Sequence, residues 1–423
     1  MENLLLQLPH STNQNTKRIK RPQSESTIND LPDEILSHIL SFLPTKHAFK
    51  TILLSKKWIP ICHSLSVLRI DDDGAVSNSM NRIHLLKLVE AFMFSPHSQH
   101  LPLKSFILNC RSQQWDAETD RFTFDKCLEA AKLRRVIYLY LYLLYIPLSP
   151  TIFCFKTLVS MTLIKIRPHT LFHSSVDLPL LKTLYMYDVC FHHIADFMKL
   201  LSGCPVLEKL STVFVQANDR SATKVYFKPL SKLITADILL FEIPFKVLGH
   251  SRNDKKTDSF YKEFPVFENL TVLNLCWSTS AQIHEWDEVV KMLQSCPKLQ
   301  SLSISKAKSS PTKEDWKYPY HVPQCLSSHL TTINITEYEA IEADFRFAAY
   351  ILENARHLEK MTICRNHFPK PMESPHFLSD LFSCSRISPA CKLSFSELYR
   401  FQYSYREPLV LNRLVLKFAL ILE

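Results

Sequence analysis

The feature that most constrains this chain is a phrase that keeps returning. Leu103, Val136, Leu158, Leu181, Leu207, Leu270, Leu299, Leu330 and Leu358 each open a segment written apolar-x-x-apolar-x-apolar or close to it. Val136-x-x-Leu139-x-Leu141 and Leu299-x-x-Leu302-x-Ile304 are clear cases. From Val136 to Leu207 the returns fall 22, 23 and 26 residues apart, and from Leu270 to Leu358 28 to 31 apart, the length of one short strand plus its way back in a stacked-repeat fold. One such unit cannot bury its apolar side chains alone, but a stack of them can. Within each phrase the apolar residues alternate, so Leu139 and Leu141 point to a shared core and their neighbours to the other sheet face. The expected architecture is therefore α/β, a solenoid of parallel strands with helices. The return segments carry stop signals. Leu200-Leu201-Ser202-Gly203-Cys204-Pro205-Val206-Leu207 and Leu293-Gln294-Ser295-Cys296-Pro297-Lys298-Leu299 share one wording: a helix ends, proline breaks it, and the next strand begins. From 213 to 265 the pattern weakens. There Pro229 to Ile238 and Phe241 to Leu248 read as degenerate repeats, and Ser251 to Ser259 as a polar loop.

Ahead of the repeats, Asn29 to Trp58 reads as a set of short helices. Pro32 suits a first helical position, where the missing amide costs nothing. Asp33 and Glu34 complement the helix dipole. Ile35, Leu36, Ile39, Leu40 and Leu43 fall on one wide apolar face, and Pro44 stops the helix. Thr45 is placed to cap a second helix carrying Ala48, Phe49, Ile52 and Leu53, and Ser55 a third carrying Trp58 and Ile61. So few residues cannot bury all those faces among themselves. The leftover strip must dock on a partner or on the rest of the chain.

Composition narrows the function. A chain of 423 residues has room for two or three domains. With only 3 Gly it cannot supply Gly-rich phosphate loops. The net charge of +9 suits an acidic partner surface. Outside Lys17 to Arg21 the basic residues are interspersed with acids, so no nucleic-acid stripe is expected. That short run reads either as a nuclear localisation patch or as part of a solvated, disordered lead-in over 1–25. The N-terminus lacks the basic start of a signal peptide. The apolar runs Val136 to Leu148 and Leu409 to Leu422 are short of the roughly 20 residues that span a bilayer, so no membrane partner is expected. The 12 Cys show no Cys-x-x-Cys pair and read as reduced, which places the chain in the nucleus and/or cytoplasm. Catalytic signatures such as Gly-x-Ser-x-Gly or His-Glu-x-x-His are missing. Cys190-x-His192-His193 is half of a metal site at most. The expectation is a non-catalytic protein with no metal and no cofactor.

The residues carry a resemblance. Leu31-Pro32-x-Glu34-Ile35-Leu36-x-x-Ile39-Leu40-x-x-Leu43-Pro44, followed by Leu54-Ser55-Lys56-Lys57-Trp58, resembles the plant F-box. Ile61-Cys62 departs from the usual Leu-Trp, and His47 stands where an acid is common. The repeated phrase is similar to leucine-rich repeats. Val322-Pro323-Gln324-Cys325-Leu326, Tyr350 to Ala355, Leu358 to Ile363 and the closing Cys391-x-Leu393-x-Phe395 resemble the FBD module of plant F-box proteins, though the family's glycine near Tyr338-Glu339-Ala340 is absent. The resemblance implies an F-box over 26–70, leucine-rich repeats over 80–315, an FBD over 319–396, and a tail over 397–423 that has no counterpart in the family.

The resemblance also implies a role: the substrate-recognition subunit of a Skp–cullin–F-box ubiquitin ligase. Leu31, Pro32, Ile35, Leu36, Ile39, Leu40, Leu43, Pro44, Leu54, Ser55 and Trp58 would then serve binding of a Skp-family adaptor, and through it a cullin. A target protein of unknown identity would be held by the repeats and the FBD. Most outward strand positions are small and polar, among them Ser160, Thr162, Ser211, Asn274, Ser301, Ser303, Thr332 and Asn334. Tyr138, Tyr140, Tyr142, Tyr185 and Tyr187 stand out against them as candidate target-binding residues on a concave face. The plain alternative is that strands favour tyrosine and neighbouring loops cover the rings. Two other functions stay open: a repeat scaffold that joins no ligase, and a co-receptor that needs a small molecule.

Overall fold

The computed structural model describes residues 27–43, 45–71, 87, 89–96, 98, 100–111, 119–171, 173–219, 230–239, 266–277, 286–306, 316–338, 341–365 and 376–397. A 3-10 turn at Ile28–Asp30 leads into α1 (Asp33–Ser41), α2 (Thr45–Lys50), a 3-10 turn at Thr51–Leu53, and α3 (Trp58–His63). Strands then take over: β1 (Val67–Asp71), β2 (Ser105–Asn109), β3 (Tyr138–Tyr142), β4 (Pro147–Leu148), β5 (Ser160–Ile164), β6 (Arg167–Pro168), β7 (Thr183–Tyr187), β8 (Cys190–His193), β9 (Lys209–Val213) and β10 (Gln216–Asp219). Beyond them lie β11 (Thr235–Leu239), β12 (Val272–Trp277), β13 (Ser301–Lys306), β14 (Thr332–Tyr338), β15 (Lys360–Arg365) and β16 (Lys392–Glu397). The helices between strands are α4 (Thr119–Leu133), α5 (Ile194–Ser202), α6 (Trp286–Gln294), α7 (Gln324–Ser328), α8 (Glu342–Asn354) and α9 (His376–Ser383).

Among the described residues, one 12-stranded sheet runs in chain order from β1 to β16, while β4 pairs with β6 and β8 with β10 outside it. The pairings are parallel throughout. The register lines up the repeated phrase. Leu139, Met161, Leu184 and Leu210 sit side by side in one row. Leu141, Leu163, Met186 and Thr212 form the next inward row. These rows face the helices and join residues such as Phe124 and Leu128 of α4 in one continuous buried cluster. The architecture expected from the phrase is the one observed.

One strand of the main sheet went unread in the sequence. β1 carries the same phrase as Leu65-x-x-Leu68-x-Ile70, hidden inside the segment assigned to the F-box. β11 is the degenerate repeat at 230–238, with Ala236 in the place of a leucine. The other degenerate candidate, Phe241 to Leu248, and the polar loop Ser251 to Ser259 lie outside the described residues. Both stop-signal phrases do what their wording implies: α5 ends at Ser202 and α6 at Gln294, each followed by a buried cysteine, Cys204 or Cys296, and then a strand. Burial pushes the Cys204 thiol up to about 12, as befits an inert core residue. A side chain on Gly203 would run into Val176, so close approach decides that glycine.

The sheet starts only four residues after α3, and the N-terminal helices are tied to it. The buried hydroxyl of Thr45 accepts the amide of Arg69 on β1 at 2.8 Å. This corrects the expectation that Thr45 caps α2: its oxygen is already spent on the strand. Ser55 makes no side-chain cap either. Its carbonyl accepts the Trp58 amide at 3.2 Å. Thr45→Val removes the acceptor and keeps the shape, leaving a strand amide unsatisfied. We expect a loss of about 1–3 kcal/mol, read as a lower unfolding midpoint in urea.

With so few glycines, the corners of the solenoid are built from other residues. Lys165, Asp188 and Phe214 follow β5, β7 and β9 at φ of 51°, 53° and 53°. Each still donates its amide to the next strand before the chain turns away, at 2.9, 2.8 and 3.2 Å. Holding that last ladder bond and turning at once requires the left-handed region. Glu337, beside the place where the family's glycine is missing, has φ 59°. At the end of α4 the amide of Arg135 reaches Lys132 O and that of Val136 reaches Ala131 O, with Arg135 at φ 56°. This bond pair is a helix stop that normally takes glycine. Arg135→Gly is expected to raise stability by about 1 kcal/mol, measured as a higher melting temperature.

Candidate functional site

The first candidate is the outer side of the N-terminal helices. Helix α1 has two apolar faces, where the sequence suggested a single wide one. Leu36 and Leu40, four apart, point inward and are buried with Trp58, Ile61 and Cys62 in the main core. Ile35, Ile39, Phe42 and Leu43 point away from it and are exposed. Leu53 and Leu54 after α2 are exposed at 88% and 61%, and Ile59 on α3 is exposed as well. Among the described residues nothing covers these apolar side chains.

The residues expected to bind an adaptor therefore divide. Ile35, Ile39, Leu43 and Leu54 are exposed, Pro32 is exposed beside them, and Leu31 and Ser55 are half-buried. Leu36, Leu40 and Trp58 are buried, so they cannot touch a partner; they belong to the main core. Pro44 lies outside the described residues. Phe42, Leu53 and Ile59 were missed. The signal was there: apolar residues at both 35, 39, 42 and 36, 40 are too many for one helical stripe. Ile61-Cys62, where the family pattern differs, is buried, so that departure is a change of core packing. The chain ahead of α1 is fixed by polar bonds. Lys57 Nζ donates to Asn29 O at 2.7 Å and Leu31 O at 2.8 Å, and Trp58 Nε1 donates to Asn29 Oδ1 at 2.7 Å.

The second candidate is the sheet face away from the helices. Its central row runs Arg69, Ile107, Tyr140, Thr162, Tyr185, Ser211, Asp237, Asn274, Ser303, Asn334, Thr362 and Ser394. The later half is a polar ladder: Asn274 Nδ2 bonds Asp237 Oδ1, Asn334 Nδ2 donates to Ser303 Oγ at 3.4 Å, and Ser394 Oγ to Thr362 Oγ1 at 3.2 Å. The earlier half is aromatic. Tyr140, Tyr142 and Ile164 form a second buried cluster, with Ile107, Leu144, Tyr185 and Tyr187 packed against it.

The tyrosines thus lie on the face that the alternation gave them, but they are not an open surface. Tyr140 and Tyr142 are each 2% exposed, and Tyr138, Tyr185 and Tyr187 are half-buried. Their outward neighbours Ser160 and Thr162 are buried as well. Close-set rings on adjacent strands cover one another, so the expectation of free phenol contacts at Tyr140 and Tyr142 is corrected. Burial pushes the Tyr140 and Tyr185 phenols above their ordinary value.

What the aromatic half offers is its rim, where the strands end. Arg111 lies 5.5 Å from the centre of the Tyr142 ring, Lys165 at 5.9 Å from the same ring, and Arg167 at 4.7 Å from that of Tyr145. Asp71 accepts Arg69 Nε at 2.9 Å and Asn109 Nδ2 at 2.7 Å, and Asn109 Oδ1 in turn accepts Arg111 Nε at 3.1 Å. Tyr145 donates to Asp188, and burial with that bond pushes its phenol up to about 12. Arg111, Lys165 and Arg167 were not singled out from sequence, because they fall outside the repeated phrase.

The suspected half metal site is otherwise engaged. Cys190 Sγ donates to Asn218 Oδ1 at 3.1 Å, and His192 and His193 are exposed. Asp196 nearby is buried, taking the amides of Leu171 at 2.8 Å and His193 at 3.3 Å. Among the described residues no three His, Cys, Asp or Glu side chains gather as a metal group.

Comparison with known proteins matches both ends and the middle of the chain. The F-box domain family matches residues 28–70, the FBD family residues 318–363, and the family described as FBD-associated F-box protein At5g56370, LRR repeats, residues 125–226. The putative FBD-associated F-box protein At3g50710 of Arabidopsis thaliana is 26% identical over 427 residues, covering 86% of this chain and 99% of that protein. The F-box/FBD/LRR-repeat protein At2g04230 of the same plant is 26% identical over 80% of this chain and 89% of its own length. The F-box/LRR-repeat protein At3g60040 is 32% identical over 44% of this chain. The helices, the single parallel sheet and these matches agree: the chain carries an F-box domain, leucine-rich repeats and an FBD, and it is similar over most of its length to FBD-associated F-box proteins of Arabidopsis thaliana.

Proposed function

We propose that this chain is the substrate-recognition subunit of a Skp–cullin–F-box ubiquitin ligase. The observation that carries the reading is the number of apolar side chains the N-terminal helices leave exposed, Ile35, Ile39, Phe42 and Leu43 on α1 with Leu53 and Leu54 after α2, while Leu36, Leu40 and Trp58 beside them belong to the main core. Apolar side chains left exposed in such number are built to receive a partner, and an F-box partner is a Skp-family adaptor that brings a cullin. The chain does no bond chemistry in this reading. It raises the local concentration of a target at a ubiquitin-loaded enzyme. The target is held by the sheet face away from the helices and by the FBD strands, which continue that face.

The test is reconstitution. The chain co-expressed with a Skp-family adaptor should elute with it as one complex, and that complex should capture a cullin. A chain that folds yet elutes free of adaptor overturns the reading and leaves a repeat scaffold.

A further inference from the structure

We propose that the rim at the ends of β2 to β6 seats an acidic peptide segment of the target, an extended stretch presenting Asp or Glu side chains. The proposal rests on the reading of this chain as a target-holding subunit.

Charge is the first argument. Arg69, Arg111, Lys165 and Arg167 gather here with Asp71 and Asp188. Both carboxylates are engaged: Asp71 by Arg69 and Asn109, Asp188 by Tyr145. With four cations against two carboxylates, the local excess is cationic. The later half of the same face differs in kind, since its central row is a ladder of Asn, Ser and Thr around Asp237.

Geometry is the second. Arg111 and Arg167 lie over tyrosine faces. A guanidinium placed over a ring keeps its edge N–H groups in its own plane, where a carboxylate can take two of them. Arg111 is further set by the Asp71–Asn109 bonds, so less ordering is left to be lost on binding. β2, β3 and β5 are successive strands of the sheet. Two strand spacings of about 4.8 Å separate the end of β2 from that of β5, close to three residues of extended chain at about 3.3 Å each. Two acidic residues roughly three apart would then meet Arg111 at one end and the Lys165–Arg167 pair at the other. Arg167 is exposed, and the half-buried rings of Tyr145 and Tyr187 supply apolar contact for the residues between.

The experiment uses the full chain purified with its adaptor. The probe is a pool of fluorescein-labelled peptides of about ten residues, with two Glu fixed about three apart and the rest randomised. A matched pool carries Gln at the two fixed places. Fluorescence anisotropy should show the Glu pool binding at least tenfold more tightly than the Gln pool. Arg111→Gln with Arg167→Gln should remove that preference, and Arg167→Gln alone, at an exposed position, should weaken it. The preference should also shrink as salt is raised, in the wild type only. Adaptor co-purification and melting temperature should not change in either variant. Equal binding of the two pools, no binding of the Glu pool, or a double variant that still prefers Glu would overturn the proposal. So would a phosphoserine pool that binds while the Glu pool does not. A chain that binds the Glu pool but no adaptor would sink the ligase reading and leave the peptide seat standing.

Discussion

A chain carrying Ile35→Asp and Leu54→Asp will keep its fold and lose its adaptor. Both side chains are exposed, outside the main core, so the native state gives up no packing when they change. At an interface each apolar residue of this size is worth roughly 1.5–3 kcal/mol when buried. Removing two, and placing a carboxylate where each was, should weaken adaptor binding at least about a hundredfold. The measurement is adaptor co-purification beside a thermal melt. Leu36→Ala is the contrast. Leu36 lies one residue from Ile35 and is fully buried, so its truncation should cost about 2–5 kcal/mol of stability. If the double aspartate variant still brings down adaptor in normal yield, these side chains are not the contact.

The second large effect concerns the sheet. Leu184 lies between Met161 and Leu210 in the inward row and is fully buried, so Leu184→Ala should cost about 2–5 kcal/mol by denaturant unfolding. Its neighbour Tyr185 is no neutral control, because it packs on the Tyr140–Tyr142 cluster. Thr183 is the better one: it precedes Leu184 on the other face and is half-buried, and Thr183→Ala should stay within about 0.5 kcal/mol. Equal losses at 183 and 184 would mean the two faces are assigned the wrong way round.

The repeated phrase made most of the fold legible, because strand alternation is local and survives in the order of residues. β1 was hidden by its position, since Leu65 to Ile70 fell inside the stretch assigned to the F-box. The two faces of α1 were merged because neighbouring apolar residues, such as Ile35 and Leu36, satisfy one broad stripe as well as two narrow ones. Thr45 shows the limit of local rules. A hydroxyl at a helix start reads as a cap until a strand amide 24 residues away takes it. The tyrosines show another. Alternation sets which face a ring is on, and only the neighbouring strands set whether it is covered. The rim cations could not be ranked from sequence at all, because stacking a guanidinium on a ring depends on where the chain turns after each strand.

The bond between Thr45 and Arg69 has a further consequence. It joins a helix of the F-box part to the first strand of the sheet, across a core that the two parts share. Only three residues separate α3 from the strand, with no linker in which to swivel. Whatever grips α1 and whatever lies on the sheet are therefore kept at one bearing and one distance, as by the two arms of a set square. Such a device selects by reach: which part of a bound protein comes within range of a third party is decided by the length of the sheet between grip and cargo.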